Sequence, residues 1–395
     1  MKKSSVVFGL LAVLVMVLSA CGPAATVAPT TAPVAPVAPV APVAPTTAPA
    51  PTVAPTVAPT VAPAIKVGEV TDLGGVNDKS FNASAWKGVQ DAMTQLGVAG
   101  KFLQSTQQSD YAKNIQQMLT DKQDLIITVG FLLGVDTATA AKANPNQKFA
   151  IVDYTYPDCY PGAVEGKDCG SSVDLPNVRG LAFQTDQAAF LAGYLAAGMT
   201  KTGIVGTFGG IQLPTVTIFM DGYVAGVKYY NQVHSTSVKV LGWDAATQKG
   251  TFVGNFTSTD DGKNTATSLA QEGADIILPV AGAVGLGSAA YCETSKKCLI
   301  IGVDTDWFVS SNEYADVELS SVQKKIDVAV LKTITDVVDG KFTGGTVTYT
   351  LADGGVDLAP YHNFDSQVPQ TLKDEIAQAK ADIISGKLTV ASFLK

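Results

Sequence analysis

The chain predicts an α/β protein built as two doubly wound parallel-sheet lobes, and three observations carry that reading. From residue 65 onward, apolar β-rich runs alternate many times with helix-period segments, the grammar of parallel sheets covered on both faces. About 330 residues follow that point, more than one hydrophobic core ordinarily organises. Two frames, DLIITVGF from Asp124 and DIILPVAG from Asp275, repeat one plan of a strand followed by a glycine-containing loop.

Ahead of the folded region stand two segments of another kind. Lys2 and Lys3 precede an apolar run over residues 6–18, which is too short for a spanning helix of about 20 residues and reads as a secretory leader over residues 1–20. The leader ends in Leu18-Ser19-Ala20-Cys21, which resembles the lipobox of bacterial lipoproteins, where the first mature cysteine is lipidated. Cys21 is thus the expected lipidation site, and lipid the expected anchor on the extracytoplasmic side of the cell membrane. Residues 22–64 contain no charged or aromatic residue, only repeats such as VAPVAPVAP. Such a segment cannot bury a core and favours polyproline II, so residues 21–64 read as a disordered tether. At about 3.1 Å per residue it could span up to roughly 130 Å.

In the folded region, strands are expected near 65–70, 125–129, 149–152, 178–182, 204–208, 238–243, 276–279 and 299–303. Helical patterns fall at 84–96, 111–120, 187–199, 220–230, 263–271 and 322–338. The expected lobes are 65–182 plus about 305–340, and 183–304 plus about 341–395. The chain carries a net charge of −8, and loss of Lys2 and Lys3 makes the mature protein more negative still, which argues against nucleic acid as a partner. Besides Cys21 there are two close cysteine pairs, Cys159/Cys169 and Cys292/Cys298. An even number outside the cytoplasm points to two small-loop disulfides. Zinc is disfavoured, because the spacings are not usual ligand pairs and only His234 and His362 are available.

The stretch GEVTDLGGVNDKSFNASAWKG, from Gly68, runs from a strand through a Gly/Asn/Asp loop into a helix. An open parallel sheet binds its ligand beyond the carboxyl ends of its strands, where loops converge and helix N-termini present free N–H groups. VAGAVGLG, from Val280, is another glycine-rich loop after a strand, but it lacks the Gly-Lys-Ser/Thr ending of a phosphate loop. No ATP-binding motif is found, and no cofactor or metal is expected.

Four segments together carry a family resemblance: TDLGGVNDKSFNASAWKG from Thr71, GLAFQTDQAAFLAGYLAAGMTKTGIVGTFGG from Gly180, GYVAGVKYYN from Gly222 and IGVDTDWF from Ile301. They resemble the basic membrane protein family of lipoproteins, the substrate-binding components of ABC importers for nucleosides. The likeness covers nearly the whole folded region. It implies a type I periplasmic-binding-protein fold, two lobes joined by crossing hinge segments with ligand between them. It also implies a nucleoside-capturing, non-enzymatic monomer that hands its cargo, expected to be a purine nucleoside, to a permease powered by a separate ATPase.

The resemblance also marks site residues. Phe81 matches a stacking phenylalanine, and base stacking is worth about 1–3 kcal/mol. Its neighbours Ser80 and Asn82 either bind ligand or cap the following helix. Asp72 is a polar contact or a turn former. Phe131 and Asp136 in GFLLGVD fall at the next strand-end loop. In the second lobe Phe190 is either core or site. Thr207 stands at the expected aromatic position and Phe208 follows it, so Phe208 is the candidate for the second aromatic wall, a place left in doubt because strand alternation can turn it to the opposite face. Gly282 lies close to the expected ribose position. Asp304 and Asp306 resemble the ribose-contacting aspartate, with Asp304 first, since a carboxylate accepts from two adjacent hydroxyls. On an extended segment the two aspartates point the same way. Lys324 matches a cleft lysine, with Lys325 solvated beside it. Two rivals remain open, a pentose receptor on the same fold and a nucleoside hydrolase using clustered aspartates.

Overall fold

In the computed structural model of the protein, residues 65–394 are described; the leader, Cys21 and the tether lie outside them. The first half of the chain alternates β1 (Lys66–Thr71), α1 (Phe81–Leu96), β2 (Ala99–Leu103), α2 (Tyr111–Thr120), β3 (Leu125–Val129), α3 (Gly134–Ala143), β4 (Lys148–Val152) and β5 (Val178–Phe183). The second half continues with α4 (Thr185–Met199), β6 (Ile204–Gly209), α5 (Pro214–His234), β7 (Lys239–Leu241), the ribbon β8 (Trp243–Asp244) and β9 (Lys249–Gly250), α6 (Thr259–Gln271), β10 (Ile276–Val280), α7 (Ala283–Ser295) and β11 (Leu299–Asp304). It closes with α8 (Trp307–Ser310), β12 (Glu318–Lys324), α9 (Ile326–Val338), β13 (Gly345–Tyr349), β14 (Val356–Leu358) and α10 (Gln370–Ile384).

Two six-stranded sheets result, ordered β13-β5-β4-β3-β1-β2 and β14-β12-β11-β10-β6-β7. All neighbours are parallel except β14, which runs antiparallel to β12. Every residue of β3, β10 and β12 is buried, as parallel strands covered on both faces must be. In the first sheet the strand order reverses between β1 and β3, and in the second between β6 and β10. Those two switch points are where ligand crevices form in doubly wound sheets.

Three segments cross between the lobes: β5 into α4, β12 into α9, and β13 into β14. Gln184 N donates to Tyr349 O (2.9 Å) and Lys325 N to Gly355 O (2.9 Å), so the crossings support one another. The lobe limits therefore differ from those expected. Residues 305–324 stay with the second sheet, because β12 pairs with β11, while β13 returns to the first sheet beside β5. The strand ELSSVQK is too polar to read as buried from sequence. Several of its polar groups find partners inside the fold: Ser320 Oγ donates to Ala359 O (2.8 Å), Ser321 Oγ to Glu318 Oε1 (2.5 Å), and Lys324 pairs with Asp153, while Glu318 Oε2 is buried without a partner.

Helices α4 and α5 cross at very close range. A Cβ on Gly193 would stand 2.1 Å from Tyr223 O, and one on Gly226 2.0 Å from Phe190 O, so this crossing requires glycine at both positions. The AAFLAG run is thus packing, and Phe190 is fully buried against Tyr229 and Phe393, away from the cleft. Cys159 is bonded to Cys169 and Cys292 to Cys298. No helix of the described residues is long and apolar enough to cross a membrane.

Candidate functional site

The loops at the two switch points face each other across a cleft that holds about 590 Å³ of open space, the solvent at its mouth included. From the first lobe come Asp72, Gly74, Asp78, Phe81, Asn82, Gly130, Phe131 and Asp153; from the second, Thr215, Val216, Phe219, Phe256, Gly282, Asp304 and Lys324.

The loop after β1 is tied down by its own carboxylates. Asp78 accepts from the backbone N–H groups of Ser80 (2.9 Å), Asn82 (2.8 Å) and Ala83 (2.9 Å), so it caps α1. Asp72 accepts from Gly74 N (3.1 Å) and Asn82 Nδ2 (2.8 Å). That leaves Asn82 Oδ1 buried without a hydrogen-bond partner in the cavity wall, an acceptor available to a ligand N–H. Capping is therefore done by Asp78 and not by Ser80. The Ser80 hydroxyl reaches across the cleft to Asp304 Oδ2 (2.6 Å).

Further bonds join the lobes along one rim. Thr305 Oγ1 donates to Lys79 O (3.1 Å), and Lys79 pairs with Glu313 (2.5 Å). Deeper in the cleft Lys324 from β12 pairs with Asp153 after β4, both nearly fully buried. The lobes stand closed on one another. Asp153 (φ +65°) and Asp304 (φ +67°), each at the end of a central strand, both adopt left-handed backbone, a strain commonly held at functional sites.

Electrostatics in the cleft are lopsided. Burial pushes Asp72 up to about 6 against the hydrogen bonds from Asn82 and Gly74, and pushes Asp304 up to about 6 against Lys324 and Ser80. Asp78 and Asp153 are also raised by burial. Behind them Glu69 on β1 is fully buried with neither carboxylate oxygen bonded, and burial followed by the charge of Asp78 drives it higher. Lys324 is the one cation among the described lining residues. Its ammonium lies 4.9 Å from the Phe81 ring centroid, 5.2 Å from Phe183 and 5.6 Å from Phe219.

These shifts predict opposite pH dependences for stability and capture. A carboxyl with a raised folded pKa contributes stability that is fully present below its unfolded value and lost as pH rises through the folded one. For Asp72 and Asp304 that window runs from 3.8 to about 6. The ligand-free melting temperature is expected to fall, by roughly 3 °C or more, between pH 5 and pH 7. Affinity for a ligand that donates hydroxyls to ionised Asp304 should rise over the same interval. Scanning calorimetry and titration at both pH values check the pair of trends.

Several expected site residues lie elsewhere. Asp306 caps α8 through Phe308 N (3.2 Å) and pairs with His362 (2.9 Å), whose ring stacks on Phe308. The left-handed turn at Asp304 breaks the extended geometry that would have aimed both aspartates into the cleft. Asp136 sits half-buried on α3, outside the cavity lining, because GFLLGVD turns through a 3₁₀ segment at Phe131 before the helix begins. Phe208 is buried in the core, and Thr207 Oγ1 donates to Leu278 O (2.8 Å). The second lobe instead presents Phe219 from α5 and Phe256 from the loop before α6. Sequence reasoning also missed Asp78 and Asp153. The spacing Val216/Phe219, one helical face directly after the β6 switch loop, was the available signal for the aromatic wall.

Two α/β lobes of this topology, closed on a cleft at their switch points, have the type I fold of solute-binding proteins. A solute-binding protein of an ABC transporter system from Aeropyrum pernix K1 superposes with a TM-score of 0.71 at 26% identity, covering 82% of this chain and 92% of that one. The profile of the Bmp family, described as ABC transporter substrate-binding protein PnrA-like, matches residues 65–390, and the chain belongs to that family. The ABC transporter nucleoside-binding protein BmpA of Lactococcus lactis is 34% identical over 346 residues, 83% of this chain and 89% of the relative. An uncharacterized lipoprotein of Pyrococcus furiosus is 31% identical over 312 residues, 76% of this chain and 71% of the relative. A protein of this class presents a small molecule to a membrane permease driven by its ATPase.

Proposed function

We propose that this protein, anchored by lipid at Cys21, captures nucleosides, and purine nucleosides in particular, by closure of its two lobes. The observation that carries the reading is the meeting of two chemistries in one closed cavity. Phe81 and Phe219 supply aromatic faces from opposite lobes, beside Asp72, Asn82, Asp304 and Lys324. A base stacks on the rings while its polar edge meets Asp72 and the unpaired Oδ1 of Asn82. The ribose hydroxyls donate to Asp304, and Lys324 donates to a ribose oxygen. Ligand contacts to both lobes favour the closed form over the open one. The cluster of carboxylates around one engaged lysine disfavours phosphorylated ligands. The name of the Lactococcus relative supports the same ligand class.

A pentose receptor would show no preference for a base. A hydrolase would release sugar. Guanosine, adenosine and inosine should each raise the melting temperature of the full chain, whereas ribose should not, and inosine should be recovered intact after incubation. Ribose release from inosine, or a shift with ribose and none with any nucleoside, would overturn the proposal.

A further inference from the structure

A second compartment adjoins the cleft on its hinge side, with an open volume of about 640 Å³. Phe131, Asp153, Thr215 and Lys324 line both spaces, so these four side chains are the partition between them. Beyond the partition the walls are mostly apolar. Tyr154 packs on Phe131 at 5.0 Å, and Phe183, Pro214 and Ile218 add apolar surface, with Thr155, Ala182 and Thr185 beside them. One carboxylate, Asp158, marks the far side, where Gly170 N (2.8 Å) and Ser171 N (2.8 Å) hold it beside the Cys159–Cys169 disulfide. The compartment thus offers apolar surface with negative charge at both ends, and its nearest cation is already engaged by Asp153.

We infer that this compartment receives an uncharged, apolar substituent carried on the 5′ position of the bound nucleoside. The inference rests on the nucleoside reading, which places the ribose at Asp304 and Lys324, against the partition. A group on the 5′ carbon passes the partition into the second compartment. A group on the base points instead to the loop after β1. An alkylthio group buries apolar surface there, while a phosphate meets Asp153 and Asp158 with no free cation.

Calorimetric titration of the full chain tests this with guanosine or adenosine, whichever binds more tightly, its 5′-deoxy-5′-isobutylthio derivative, and its 5′-monophosphate. The alkylthio compound is expected to bind as tightly as the parent or up to about tenfold more tightly. The monophosphate should bind at least about a hundredfold more weakly. In Ile218→Trp, which narrows the compartment, the alkylthio compound should lose at least about tenfold more affinity than the parent does. An alkylthio compound weaker than the parent, a monophosphate as tight as the parent, or equal losses in the variant would overturn the inference and leave the nucleoside reading standing. Failure of both parent nucleosides to bind would overturn that reading, and this inference with it.

Discussion

Lys324→Met is expected to lower the stability of the protein by about 3–5 kcal/mol and to weaken nucleoside capture at the same time. The side chains of Lys324 and Asp153 are 2% and 7% exposed, so water does not screen the charge left behind. Removing the ammonium strands Asp153 in a cavity already crowded by Asp72, Asp78 and Asp304. It also removes the cation beside the rings of Phe81, Phe183 and Phe219. Taking away both partners separates the two consequences. Replacing a buried ion pair by neutral groups of similar shape is often close to neutral for stability. Lys324→Met combined with Asp153→Asn should therefore recover most of the lost stability by urea titration, while affinity for a nucleoside stays low. Recovery of affinity together with stability would show that Lys324 acts only by neutralising Asp153.

Phe81→Ala is expected to weaken nucleoside binding by about 1–3 kcal/mol, or roughly 5- to 150-fold in Kd. Phe81 opens α1 at the cavity wall and is only half-buried, so its truncation should leave the melting temperature nearly unchanged. Phe81→Leu distinguishes stacking from plain burial. Leucine keeps much of the apolar area and loses the π-face, so the stacking account requires it to bind nearly as weakly as the alanine variant. Wild-type affinity in the leucine variant would reduce Phe81 to a hydrophobic wall. Phe219 is less suited to this test, because it is almost fully buried and its loss would leave a core cavity.

What could be read from the sequence follows from the range over which each signal acts. Strand–helix alternation is local, and it located both halves of the fold and the strand-end loops holding Asp72, Phe81 and Asp304. β12 escaped because its composition is polar, and only the distant partners Ala359 and Asp153 make burial of Ser320 and Lys324 tolerable. Asp153 escaped for the same reason, its partner Lys324 being 171 residues away. Asp306 misled because one left-handed residue, Asp304, reverses the direction an extended strand would impose. The aromatic opposite Phe81 does not come from the strand end at Thr207 and Phe208, neither of which lines the cavity. The replacement was invisible as a motif, since Phe219 reaches the cleft from a helix and not from a strand end.

Calorimetric titration of the ligand-free full chain shows whether the cleft binds base and ribose together. The panel is guanosine, adenosine, inosine, cytidine, the free bases and ribose. At least one purine nucleoside should bind with one-to-one stoichiometry, more tightly than cytidine, its own base or ribose. Absence of binding by every nucleoside, or ribose binding as tightly as the best of them, would contradict the account.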